Sequence, residues 1–155
     1  MDSFTQVIYN AVKSNDQVLL DAFIWRGLIT KHAIVTIFLH INPLEHIEIF
    51  SKFILIPDVV SMIKKTHSDF ITELFRYAFE TNKYRVMVVI MDHCNIHQTS
   101  MYKNIFLNSC ILDKYAAELM AMRMHNTSLL NAGIEIAQKN SKLRTAMMLS
   151  QFIDA

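Results

Sequence analysis

Only two glycines and two prolines occur among the 155 residues of this chain. That shortage constrains the fold more than any motif. Tight β-turns and the phosphate-cradling turns of doubly wound α/β folds need backbone at positive φ, which glycine adopts without strain. Gly27 and Gly133 alone cannot supply them. Asparagine is scattered along the chain instead, at Asn15, Asn82 and Asn140 among others. It is the residue that best replaces glycine at a left-handed helix end. The expected class is all-α.

Hydrophobic residues make up 52% of the chain and mean hydropathy is +0.24, well inside the globular range. The formal net charge is +1, with both signs mixed along the sequence. No electrostatic case for nucleic acid or an anionic membrane follows, and the pair Lys64-Lys65 is too short to change this. Cys94 and Cys110 are the only cysteines and read as free thiols. The first residues, MDSFTQVIYN, lack a basic stretch followed by an apolar one, so no signal peptide is expected. The runs AIVTIFL and VMVVIM are too short to span a bilayer, and QFIDA carries no lipidation box. The expectation is a soluble intracellular protein with no membrane span.

Apolar residues recur at helical spacing over 3–13, 17–26, 31–41, 46–56, 69–81, 84–94, 101–111, 114–125, 130–139 and 142–153. Short polar connections group these ten segments into about five antiparallel hairpins, forming one domain over 1–155. Asp69 and Ser128 stand where N-caps belong, Gly27 where a helix-ending glycine belongs, and Pro57 past the fourth helix. DVVSMIKK could form an extra short helix before the third pair.

Two stretches superpose without a gap: AVKSNDQVLLDAFIWRGL at 11–28 and AFETNKYRVMVVIMDHCN at 78–95. Ala11 meets Ala78, Asn15 meets Asn82, and the apolar slots coincide. The separation of 67 residues is close to two units of about 33, the ankyrin period. Further units fit at Ile41, Asn108 and Ile136, the last placing Asn140 opposite Asn15. The segments YNAVKSNDQVLLDAFIWRGL and LFRYAFETNKYRVMVVIMDHCNIH resemble divergent ankyrin repeats. The family's Thr-Pro-Leu-His tetrapeptide and Gly-Ala-Asp finger are missing, so the β-fingers are left open. Eroded repeats of this kind are similar to the ankyrin-like host-range and multigene-family proteins of large DNA viruses, including poxviruses and African swine fever virus. The resemblance implies a divergent ankyrin-like solenoid and a non-enzymatic protein-protein interaction module. It further implies a host-virus interaction in the host cytoplasm, in which a host signalling, antiviral or cell-death protein is sequestered as a means of immune evasion.

Chemistry-bearing clusters are few. His93, Cys94 and His97 in HCNIH, with Cys110, could offer metal ligands, but the spacing matches no zinc finger. The reading is no metal and no cofactor. His46 and Glu48, two apart, do not share a helix face, and Ser109-Cys110 has no glycine elbow. Cys110 reads as a small buried hydrophobe, and the methionines, densest at Met120, Met122, Met124, Met147 and Met148, mainly as core filler. No catalytic residue is assigned. Trp25-Arg26 has hot-spot composition and is the leading partner-binding candidate. In the ankyrin register, first-helix residues line the concave face, which adds Lys13, His40 and Arg76. Two other readings stay open: a viral Bcl-2-like apoptosis inhibitor with an apolar groove, and a self-assembling structural component.

Overall fold

The computed structural model describes residues 1–66 and 68–153, and the side chains of all of these except 64–66 and 68. The Lys64-Lys65 side chains and the last two residues of QFIDA therefore lie outside the described ones. The described residues form eleven α-helices and no strand. None of the helices is long and apolar enough to cross a membrane. The chain divides into two compact units, Met1–Ala78 and Phe79–Ala155.

In the first unit, α1 (Ser3–Lys13) and α2 (Gln17–Trp25) form a hairpin. After α3 (Lys31–Phe38), a 3-10 turn at Pro43–His46 leads into α4 (Ile47–Phe53). Next come α5 (Val59–Thr66) and α6 (Ser68–Glu80), the last two residues of which belong to the second unit. α1 packs on α2 and α3, and α3 on α5. The core is aromatic: Phe38 meets Phe50 at 4.8 Å and Phe70 at 5.2 Å between ring centroids, both edge to face. That geometry sets positive ring edges against negative faces, worth about 0.5–1.5 kcal/mol per pair beyond burial. Lys52 of α4 reaches α2, donating to Asp21 and to Gln17, each at 2.8 Å.

In the second unit, α8 (Ser100–Leu112) pairs with α9 (Lys114–Ala121), and α10 (Thr127–Lys139) with α11 (Leu143–Ser150). α8 packs on α10, and α9 packs on α11 and on α7 (Tyr84–His93). α7, α9 and α11 thus stack as a row. Gly133 permits the approach of α10 to α8: a Cβ there would lie 2.7 Å from Phe106 Cε2 and 3.0 Å from Cys110 Sγ. Arg123 at the end of α9 donates to Asp92 of α7 at 2.7 Å. This bridge and Lys52–Asp21 each span 31 residues, a regularity that sequence reading missed.

The turns explain how so little glycine suffices. Asn15 and Asn82 both take left-handed backbone, at φ 56° and 58°. Asn15 N–H donates to Val12 O, and Asp16 N–H to Ala11 O, satisfying two terminal carbonyls of α1. The same closure ends α10, with Ser141 at φ 59° and Lys142 N–H donating to Ala137 O at 2.8 Å. Ala11, Ala78 and Ala137 occupy the same place in their helices, and all three are buried. A larger side chain at Ala11 or Ala137 would hold the next helix of its hairpin away.

Several expectations are corrected in detail. The last unit is displaced by one residue: Ala137 and Ser141, not Ile136 and Asn140, match Ala11 and Asn15. The Ile41 unit lacks the left-handed turn and uses the 3-10 turn from Pro43. In the Asn108 unit, Asp113 alone links α8 to α9, acting as C-cap of one and N-cap of the other. Asn126, not Ser128, caps α10, and Asp69 lies within the first turn of α6. Gly27 ends α2 at φ 67°, as its position implied, and DVVSMIKK contributes to α5.

Asn82→Gly should leave stability nearly unchanged, whereas Asn82→Val should cost about 1–2 kcal/mol, because a β-branched residue is strained at positive φ. Urea unfolding of both variants checks this. Gly133→Ala should cost about 1–3 kcal/mol by overpacking against Phe106, seen as a lower urea midpoint at unchanged slope.

Candidate functional site

Leu20 is the one fully buried residue of α2, and it fixes which face of the helix turns outward. At about 100° per residue, Trp25 points roughly opposite Leu20, and it is 89% exposed. Val18, seven positions earlier on the same stripe, is 84% exposed. Phe23 instead turns inward and meets Phe4 of α1 with ring centroids 5.4 Å apart. Trp25 does not pack onto a following helix, so its large indole face is free for contact. Arg26 caps α2 and is exposed beside it. Val18 was not singled out from the sequence; the signal available was its two-turn spacing from Trp25.

The other candidates do not join this patch. Lys13 ends α1, at the opposite end of the hairpin from Trp25, with its ammonium 5.4 Å from the centre of the Tyr9 ring. Arg76 lies on α6, and its guanidinium donates to both carboxylate oxygens of Glu73, at 3.0 and 3.1 Å. His40 is not on a first helix as expected: α3 stops at Phe38, and His40 sits in the following turn, its N–H donating to Ile37 O. Among the described contacts, none links Lys13, His40 or Arg76 to Trp25 or Arg26.

The HCNIH side chains are directed to separate partners. His93 Nδ1 lies 3.0 Å from Val89 O, His97 Nε2 lies 3.2 Å from Met91 O, and Cys94 is buried. Among the described residues, no group of three or more His, Cys, Asp or Glu is placed to hold a metal ion. Cys110 is buried against α10, and that burial pushes its thiol up to about 12. At neutral pH it is therefore a thiol, a poor nucleophile and a poor ligand. Met87, Met91, Met120 and Met148 are core residues, while Met122 and Met147 are exposed.

A second surface feature lies in the second unit. Tyr84, Arg85, Val88 and Val89 of α7 and Tyr115 and Leu119 of α9 line an open groove of about 210 Å³. Tyr84 Oη donates to Asp113 at 2.7 Å, and its ring meets Tyr115 edge to face at 4.7 Å. Donating this bond favours the neutral phenol, and burial and the carboxylate's charge add to it, so the Tyr84 hydroxyl is pushed up to about 12. The groove is shallow and small beside a typical ligand cavity, roughly 300–1,000 Å³. It fits a side-chain row better than an enclosed substrate.

Comparison of the chain with protein-family models, with characterised proteins and with solved structures finds no match.

Because the Tyr84 phenol ionises at about 12 in the folded chain against 10 in the unfolded one, its bond contributes fully below pH 10 and is lost as pH rises through about 12. The stability gap between wild type and Tyr84→Phe should therefore be constant up to pH 10 and then close. Denaturant unfolding across that range measures it, and phenolate absorbance in Asp113→Asn should show Tyr84 titrating back toward 10.

Proposed function

We propose that this chain is a non-enzymatic protein-interaction module, a divergent ankyrin-like helical array that binds a host protein and withholds it from its own partners. The observation that carries the reading is Trp25, the only tryptophan, exposed over 89% of its surface next to Arg26. A solvated indole forgoes one of the largest burial gains open to any side chain. Tryptophan and arginine are the residues on which interface energy concentrates. Val18 extends the stripe, and α2 itself is held by Leu20 and by the Lys52 bridge from α4, so the patch sits on an ordered helix. Stacked helical hairpins offer extended surface and no chemistry of their own, which agrees with the buried, protonated Cys110 and the dispersed HCNIH side chains. The resemblance to viral host-range proteins supplies the class of partner, a host signalling, antiviral or cell-death factor, and the host cytoplasm as the place.

The single tryptophan makes the test direct. Emission of the free chain should be that of a water-exposed indole and should shift to the blue when a captured host partner is added. Trp25→Ala should weaken that partner about tenfold or more. Equal affinity of wild type and Trp25→Ala would remove Trp25 from the interface. A mass that grows with concentration in light scattering, and that Trp25→Ala reduces to a monomer, would favour the self-assembling alternative.

A further inference from the structure

The left-handed turns that precede α7 and α11 are each followed by the same pattern. After Asn82 comes Lys83-Tyr84-Arg85, and after Ser141 comes Lys142-Leu143-Arg144. Between them in the row, α9 begins with Lys114-Tyr115. Five cations thus occupy the N-cap or the first turn of three stacked helices, where the positive end of the helix dipole disfavours them. Lys83 and Lys142 are themselves the N-cap residues of α7 and α11, and neither makes a capping hydrogen bond. Aspartate or serine there would stabilise the helix. Among the described contacts none of the five has an ion-pair partner; Lys139, on the same edge, is bonded to Glu135. The carboxylates of these helix starts are Asp113, which is taken by the Tyr84 hydroxyl and the Ala116 N–H, and Glu118, one helical turn on from Lys114.

Apolar side chains lie next to this edge. In α7 the buried pair is Val86-Met87, in α9 Ala116-Ala117, and in α11 Thr145-Ala146. Two positions before and after the first residue of each pair, Tyr84 and Val88 of α7 and Leu143 and Met147 of α11 share one register. In α9 Lys114 and Glu118 hold that register, and Tyr115 and Leu119, one position further round, line the groove with α7. Leu143 is 64% and Met147 70% exposed. The face therefore combines unpaired cations at the helix starts with an apolar groove one turn further on.

We propose that the α7–α9–α11 face docks an acidic amphipathic helix of another protein, its carboxylates against the cationic edge and its apolar stripe along the groove between α7 and α9. The carboxylates would supply charge partners along the edge, and capping acceptors at the starts of α7 and α11, which have no side-chain cap. An amphipathic helix binds by laying its apolar face into such a groove. Nucleic acid fits less well, because its interfaces are polar and strongly basic throughout. The inference rests on the binding-module reading but uses neither Trp25 nor Arg26.

Two synthetic helical peptides test it. They share one apolar stripe and differ only in flanking residues, glutamate in one and lysine in the other. In anisotropy titrations of the whole chain at about 0.15 M salt, the acidic peptide should bind at least about tenfold tighter than its basic twin, and added salt should erode the advantage. The variant K83E/R85E/K142E/R144E should lose the preference yet melt no lower than wild type, because acidic first turns suit the helix dipole. Trp25→Ala should keep the acidic-peptide affinity, so that this surface and the Trp25 patch fail or hold separately. Equal binding of the two peptides would overturn the proposal. So would tighter binding of a single-stranded oligonucleotide or an anionic vesicle than of the acidic peptide, or an undiminished preference in the charge-reversed variant.

Discussion

Close pairing of helices through left-handed turns is the constraint on which the rest depends. At the ends of α1 and α10 the chain reverses within two residues, and the reversal works because Asn15 and Ser141 accept positive φ while buried Ala11 and Ala137 leave room. Two backbone hydrogen bonds close each turn and use carbonyls that would otherwise be unpaired at the helix end. Asn82 takes the same left-handed backbone after α6, its N–H donating to Phe79 O. With so few glycines in the chain, asparagine and serine carry most of this strain, and Gly27 alone relieves it at no steric cost.

Once the turns are set, packing proceeds by different means in the two units. The first closes around interlocked phenylalanines of α3, α4 and α6. The second closes through small residues, Ala116, Ala117 and Gly133, and through the Tyr102 hydroxyl, which donates to Met120 O. Burial raises that hydroxyl's pKa well above its ordinary value. Polar bridges recur at the surface where second helices stack, Lys52 to Asp21 and Arg123 to Asp92. Such exposed pairs contribute modestly, about 0–1 kcal/mol; their value is in fixing which helix faces which. The same rows then present side chains the core does not need: Val18 and Trp25 from one unit, Leu143 and Met147 from the other.

Helix positions were legible because their apolar period is local: Gln17, Tyr84 and Lys114 start helices where the pattern starts. The equivalence of Asn15 with Asn82 was equally legible, since no gap separates the two copies. The last copy was not. Asn140 looks like the partner of Asn15, yet Ser141 takes the left-handed backbone because Ala137, not Ile136, must face the second helix of that hairpin. That one-residue displacement also hid the likeness of Lys83-Tyr84-Arg85 to Lys142-Leu143-Arg144. Trp25 was identified by residue type, but its exposure was not, because periodicity in α2 is blurred by apolar residues on every side.

By itself, then, the sequence determined an all-helical chain, its paired helices and the asparagine turns, all of which follow from backbone preferences acting over a few residues. Tertiary structure alone decided which alanine faces a neighbour, that Asp113 bonds the Tyr84 hydroxyl as well as capping α9, and that five cations on one edge have no ion-pair partner among the described contacts. The bond to Tyr84 and the gathering of the cations depend on segments about 30 to 60 residues apart in the chain. No local preference encodes them.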